Sequence, residues 1–252
     1  MNGLIRIAAV FGLVASLIAC NAAPKDETVN WSARKLYNEA TRSLSAGDFS
    51  QAVEYFEILE SRFPFGRYTL QAQLDIAYAH YKRGEHDIAI DACDRFMKLH
   101  PRNEHIDYAM YLKGLANFTR GSGLFANFTG RDLSEYDPQA LANSFGDFDT
   151  LVRRFPDSRY TPDARQRMVF LRNELAEHEL KTADFYYSRG AMIATINRVK
   201  YMLENYDGAN SIPDGLALMA QAYSNMGLED LAEDTLRVLA SNSPEHPALN
   251  SN

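Results

Sequence analysis

Few residues of this 252-residue chain could do covalent chemistry, and their spacing decides against most of it. Six histidines (His80, His86, His100, His105, His178 and His246) form no HExxH and no His/Cys cluster at ligand spacing, so no metal site is expected. Ser32-Ala33-Arg34-Lys35 has the SxxK form of an acyl-enzyme serine, but the pattern is degenerate and its partner motifs are missing. Gly121-Ser122-Gly123 is too short to cradle phosphate and reads as a loop tip. There is no Walker loop, GxSxG or GxGxxG. Glu177-His178-Glu179 reads as a solvated helix face. Neither an enzyme nor a cofactor is expected.

Cys20 is the exception. Residues 1–19 combine Arg6, a short apolar run and small residues, the make-up of a signal peptide. Leu17-Ile18-Ala19-Cys20 resembles the bacterial lipobox, in which the thiol takes a diacylglycerol, the chain is cut before Cys, and the new amine is acylated. An ordinary secretory signal with a chance Cys, or an uncleaved anchor, is the alternative. The lipobox implies N-palmitoyl and S-diacylglycerol groups on Cys20, more than the two signals that stable anchoring needs. Asn21 stands where lipoproteins kept in the inner membrane usually carry Asp, which points to the outer membrane. Residues 20–30 then read as a polar, lipidated tether. Cys93 is left alone and reads as a small core residue.

Composition fits an anchored soluble body. With 46% apolar and 23% charged residues the chain is an ordinary globular one, not a disordered one. Its net charge of −7 becomes −8 once residues 1–19, with Arg6, are removed. That argues against coating nucleic acid, and leaves lipid, not a basic patch, to hold the membrane.

The elements that would position any binding residues come from a repeat. Gly84 lies 37 residues after Gly47, and Gly227 lies 37 after Gly190. Ala52, Ala89 and Ala232 sit five residues after their glycines, and Pro64, Pro101 and Pro244 seventeen after. Ala40, Ala77, Ala183 and Ala220 each precede a glycine by seven. This resembles the tetratricopeptide repeat (TPR), a helix–turn–helix unit whose small residues let two helices approach. Apolar stripes such as Ala52/Tyr55/Phe56/Leu59/Phe63, Ile193/Ile196/Val199/Leu203 and Leu231/Leu236/Leu239 read as core faces. The fold expected is all-α: an α-solenoid of five TPR-like helix pairs, the third interrupted by an insertion of roughly residues 119–137. The pairs span about 33–69, 70–106, 107–159, 160–212 and 213–244 within a solenoid of 31–242, followed by a loose tail, 243–252. The first helix of the fourth pair should exceed 20 residues, because no breaker falls between Pro162 and Gly190. The insertion is either a partner contact or a passive excursion.

Solenoids work as surfaces. Arg34, Tyr37 and Thr41, then Gln71, Leu74, Tyr78, Tyr81 and Lys82, are the groove positions expected on the first helices of pairs one and two. Aromatic faces beside cations suit a short peptide with aromatic side chains and a terminal carboxylate. Packing of Tyr78 and Tyr81 against neighbouring helices is the competing reading.

A more specific resemblance covers nearly the whole mature chain. Arg62-Phe63-Pro64-Phe65-Gly66, His105-Ile106-Asp107-Tyr108, Phe145-Gly146-Asp147-Phe148, Asp184-Phe185-Tyr186-Tyr187, and Arg189-Gly190-Ala191 with Asn197-Arg198-Val199 resemble the BamD (ComL/YfiO) family of lipoproteins of the β-barrel assembly machinery. The resemblance implies a non-catalytic, periplasm-facing scaffold on the outer membrane. It implies that the C-terminal repeats bind a POTRA domain of the barrel subunit, BamA, with Arg198, Asn197 and Arg189 at the contact. It also implies that the N-terminal repeats receive C-terminal signals of unfolded outer-membrane proteins, with BamC and BamE as further partners. A TPR lipoprotein adaptor for cell-wall hydrolases or division proteins is the rival, with a peptidoglycan-remodelling enzyme behind it.

Overall fold

Glycine decides where the chain folds back. In the computed structural model, which describes residues 27–122 and 137–250, Gly47, Gly84, Gly190 and Gly227 have φ of 81°, 77°, 75° and 72°. That left-handed region costs a residue with a Cβ about 1 kcal/mol or more. Each glycine N–H bonds a carbonyl three residues back, and the next N–H reaches five back, as Asp48 does to Ser43 at 2.9 Å. These paired bonds satisfy the orphan carbonyls of the preceding helix and turn the chain.

Ten helices stand among the described residues, and no strand. In chain order they are α1 (Ala33–Ala46), α2 (Phe49–Arg62), α3 (Arg67–Lys82), α4 (His86–Leu99) and α5 (Ile106–Ser122). After residues 123–136 come α6 (Pro138–Arg154), α7 (Thr161–Ser188), α8 (Met192–Asn205), α9 (Ile212–Asn225) and α10 (Glu229–Asn242). Each helix packs on the next, and α1 also touches α3, α3 touches α5, and α7 touches α9. The odd-numbered helices therefore line one face. This is an all-α, TPR-like solenoid. Among the described residues no helix is long and apolar enough to cross a membrane.

Proline ends the second helices. Phe63, His100, Phe155 and Ser243 each precede a Pro, leave helical geometry, and donate N–H to the carbonyl four back. A residue before Pro is pushed out of the α region, so the helix stops there. Tyr206 has the same geometry with Asp207 in place of Pro.

The small landmark residues are buried as their spacing requires: Ala40, Ala52, Ala77, Ala89 and Ala183 are wholly inaccessible. Gly114 goes further, since a Cβ there would lie 2.5 Å from Cε1 of Phe148. Only glycine lets α5 and α6 cross this closely, and Ser144 donates to the Gly114 carbonyl at 2.9 Å. Cys93 is wholly buried, as expected, and burial pushes its thiol up to about 12. It is chemically inert in the folded chain.

Several expectations need correction. Helix α5 continues through Ser122 into the stretch assigned to the insertion, where Thr119 bonds the Leu115 carbonyl and Arg120 pairs with Asp87 at 2.5 Å. Helix α7 reaches 28 residues, as anticipated. Ile193 is 65% exposed, because the buried face of α8 is Thr195, Ile196, Val199 and Met202. At about 100° per residue Ile193 falls on nearly the opposite side. Leu231 is exposed too, since the buried face of α10 is Ala232, Thr235 and Leu239. Leu74 is core and cannot line a groove. The tail is docked up to Asn250: a short 3-10 turn, Pro247–Asn250, sets Ala248 and Leu249 against the core. The signal segment, Cys20 and most of the insertion lie outside the described residues.

Candidate partner and peptide surfaces

Two surfaces bear the residues singled out from the sequence. The first is the outward face of α8. Asn197 points away from the packed side of the helix, with exposed Ile193 and Tyr201 one turn to either side. Arg198 flanks that row, and its side chain is 45% exposed. Its Nη1 donates to Oε2 of Glu179 on α7 at 3.2 Å. Glu179 is only 9% exposed, which corrects its reading as part of a solvated face; Glu177 is half-buried and His178 is exposed. A buried carboxylate needs a partner, and one edge of the Arg198 fork supplies it. The rest of that fork faces solvent and can take a second acceptor. Arg189, in the turn between α7 and α8, is exposed with its guanidinium 4.3 Å over the ring of Phe185. The ring is itself half-exposed, so cation and apolar edge form one patch.

The second surface is a cavity of about 330 Å³ between α1, α3 and the connection from α4 to α5. Tyr37 and Gln71 line it, together with Arg67, Tyr68 and His105. The Tyr37 hydroxyl donates to Oδ2 of Asp75 at 3.1 Å, and Gln71 Nε2 donates to Oδ1 at 3.1 Å. Asp75 holds both groups in place across two helices. Burial raises its carboxyl above the ordinary range, against the lowering by those two bonds. Burial and the neighbouring Asp75 push the Tyr37 phenol up to about 12, so it is a hydrogen-bond donor at neutral pH. Tyr68 packs 5.3 Å from Tyr37, with the Arg67 guanidinium 4.9 Å above its ring. A wall of aromatic faces and one exposed cation results.

The remaining groove candidates are not brought together there. Tyr78 and Tyr81 are half-buried against Ala77, Ala92, Cys93 and Leu112, and the Tyr81 hydroxyl lies 3.5 Å from Thr119. Arg34 and Lys82 are exposed on α1 and α3, and Thr41 bonds the Tyr37 carbonyl at 2.9 Å. Arg67, Tyr68 and His105 were missed, because one begins a helix, one follows it, and His105 lies in a connection. Only the stacking of α1 on α3 beside the α4–α5 connection collects them. Among the described residues no group of His, Cys, Asp and Glu could hold a metal.

The profile of the YfiO family, described as outer membrane lipoprotein, matches residues 30–239. The chain belongs to the BamD (YfiO) family. A Neisseria gonorrhoeae relative named outer membrane protein assembly factor BamD is 41% identical over 97% of this chain and 93% of its own length. The same-named protein of Neisseria meningitidis serogroup A is 42% identical over 88% of this chain and 83% of its own. That of Vibrio cholerae is 34% identical over 96% and 97%. These BamD proteins are named for assembly, not for a reaction. Among solved structures, the TPR2AB domain of yeast Sti1 in its pHSP90 complex overlays with a TM-score of 0.45, at 14% identity over 86% of this chain and 79% of that one. That likeness is too loose to argue from.

Proposed function

We propose that the chain is a lipid-anchored, non-catalytic scaffold of the β-barrel assembly machinery, facing the periplasm from the outer membrane. The observation that carries this reading is the match over nearly the whole chain to relatives named as outer membrane protein assembly factors. Lipid on Cys20 holds it to the membrane, since a chain whose net charge of −7 falls to −8 on loss of Arg6 has no bulk attraction to anionic lipid. The exposed edge of Arg198, with Asn197 and Arg189, binds a carboxylate on the POTRA domain of BamA. BamC and BamE complete the assembly.

The cavity at Tyr37 receives C-terminal signals of unfolded outer-membrane proteins. Its aromatic wall suits an aromatic side chain, and Arg67 suits the terminal carboxylate. Binding of labelled peptides copying barrel-protein C-termini tests this. Changing Tyr37 and Tyr68 together to Ala should weaken binding by at least about 2 kcal/mol, the scale of a hot spot. Tyr78→Ala, removing a packed ring beside Cys93, should lower the melting temperature and leave affinity near parental. Unchanged affinity in the Tyr37/Tyr68 variant would remove the cavity from the peptide path.

A further inference from the structure

At the other end of the solenoid a cleft of about 700 Å³ opens between α7 and α9 and is closed at one end by the C-terminal turn. Its α7 wall carries Glu177, Leu180 and Asp184, and its α9 wall Asp214 and Leu218. Leu180 and Leu218 are half-buried on the core and form an apolar floor. The three carboxylates outnumber Lys181, the one lysine or arginine among the lining residues. One turn before Glu177 on α7, burial and then the Glu177 charge raise the Glu174 carboxyl. No group of three ligands fit for a metal stands among the described residues. Carboxylates beside an apolar floor suit an organic cation with an apolar neighbour.

The chain itself shows the grammar of such a ligand. His246 sets Nε2 3.1 Å from Oδ1 of Asp214, while its Nδ1 accepts the Ala248 N–H at 3.2 Å. With Nδ1 an acceptor, Nε2 carries the proton and donates to Asp214. Two residues on, Ala248 rests against the core and lines the cleft. A nitrogen donor thus meets the acidic rim and an apolar side chain meets the floor. Beyond this turn, Glu177 and Asp184 repeat the acidic rim about 10 Å apart along α7. That is the rise of about three residues in an extended peptide of polyproline II form, whose side chains at i and i+3 share a face.

We propose that this cleft is a second peptide site, taking an extended segment with Lys or Arg about three residues apart and an apolar side chain between them. It lies on the opposite end from the Tyr37 cavity and does not include the Arg198 face, so it stands or falls independently of the function proposed above.

The test is fluorescence anisotropy of the full mature chain with a short labelled peptide containing Lys-Leu-Ala-Lys, and its twin containing Glu-Leu-Ala-Glu. The Lys peptide should bind saturably, and the Glu peptide should not compete. Glu177→Gln with Asp184→Asn should weaken binding about tenfold, as the loss of two part-exposed ion pairs implies. Glu57→Gln with Glu60→Gln removes the same charge from α2 and should leave affinity unchanged. Photo-crosslinking of the Lys peptide to the unaltered chain should label α7, α9 or the C-terminal turn. Absence of saturation, equal weakening by both pairs of substitutions, or labelling confined to other helices would overturn the proposal.

Discussion

Removing the guanidinium of Arg198 leaves the Glu179 carboxylate buried with no cation against it. Arg198→Glu therefore affects stability as well as any partner. Because the arginine is half-exposed, water screens the loss, and destabilisation of about 1 kcal/mol is expected by thermal melting. Glu179→Gln keeps an acceptor for Arg198 and separates the two effects: stability should stay within about 1 kcal/mol, with BamA capture at parental yield. Arg198→Glu should lose that capture. If both variants capture BamA normally, Arg198 is only a partner for Glu179. Asp75 tests the cavity through pH. Its folded carboxyl lies above its unfolded value because of burial, so the fold binds a proton more readily than the unfolded chain. Ionisation thus costs stability at neutral pH, and the cost vanishes as pH falls through the folded value. Asp75→Asn, which keeps an oxygen for Tyr37, should melt at or above the parental temperature at pH 7 and lose that advantage towards pH 4. An advantage that grows on acidification would contradict the burial argument.

At the scale of helices, the turns were legible because their chemistry is local. A glycine that must adopt positive φ, and a residue expelled from the helix by the proline after it, announce themselves in a few letters. Ala at fixed intervals from those glycines gave the core face of each pair. Glu179 was not legible, since a carboxylate in mid-helix looks solvated until another helix crosses it. Ile193 and Leu231 were misassigned for a related reason: an apolar residue is buried only where a neighbouring helix exists to cover it. The aromatic cavity was half legible, Tyr37 and Gln71 by their place on the first helices, Arg67 and His105 not at all. Gly114 gives this scale its sharpest test. Gly114→Ala puts a Cβ 2.5 Å from the Phe148 ring, and although Ala favours helix, separating α5 from α6 should cost about 1–3 kcal/mol by denaturant unfolding. An unchanged or raised midpoint would show that the crossing has slack.

For the molecule as a whole, the proposed function sets three parts in one arrangement: lipid at Cys20, a client surface on the early helices and a BamA surface on α8. A solenoid suits this because its repeats contact mainly their neighbours, so distant surfaces can be held in fixed relation without a shared core. The most direct measurement is capture of the tagged chain from detergent-solubilised outer membrane, with the copurifying proteins and the intact mass of the chain read by mass spectrometry. The result predicted is BamA as the dominant partner, and a chain that begins at Cys20 and carries diacylglycerol and an N-acyl group. Recovery without lipid from the soluble fraction, or with cell-wall hydrolases in place of a barrel protein, would contradict it.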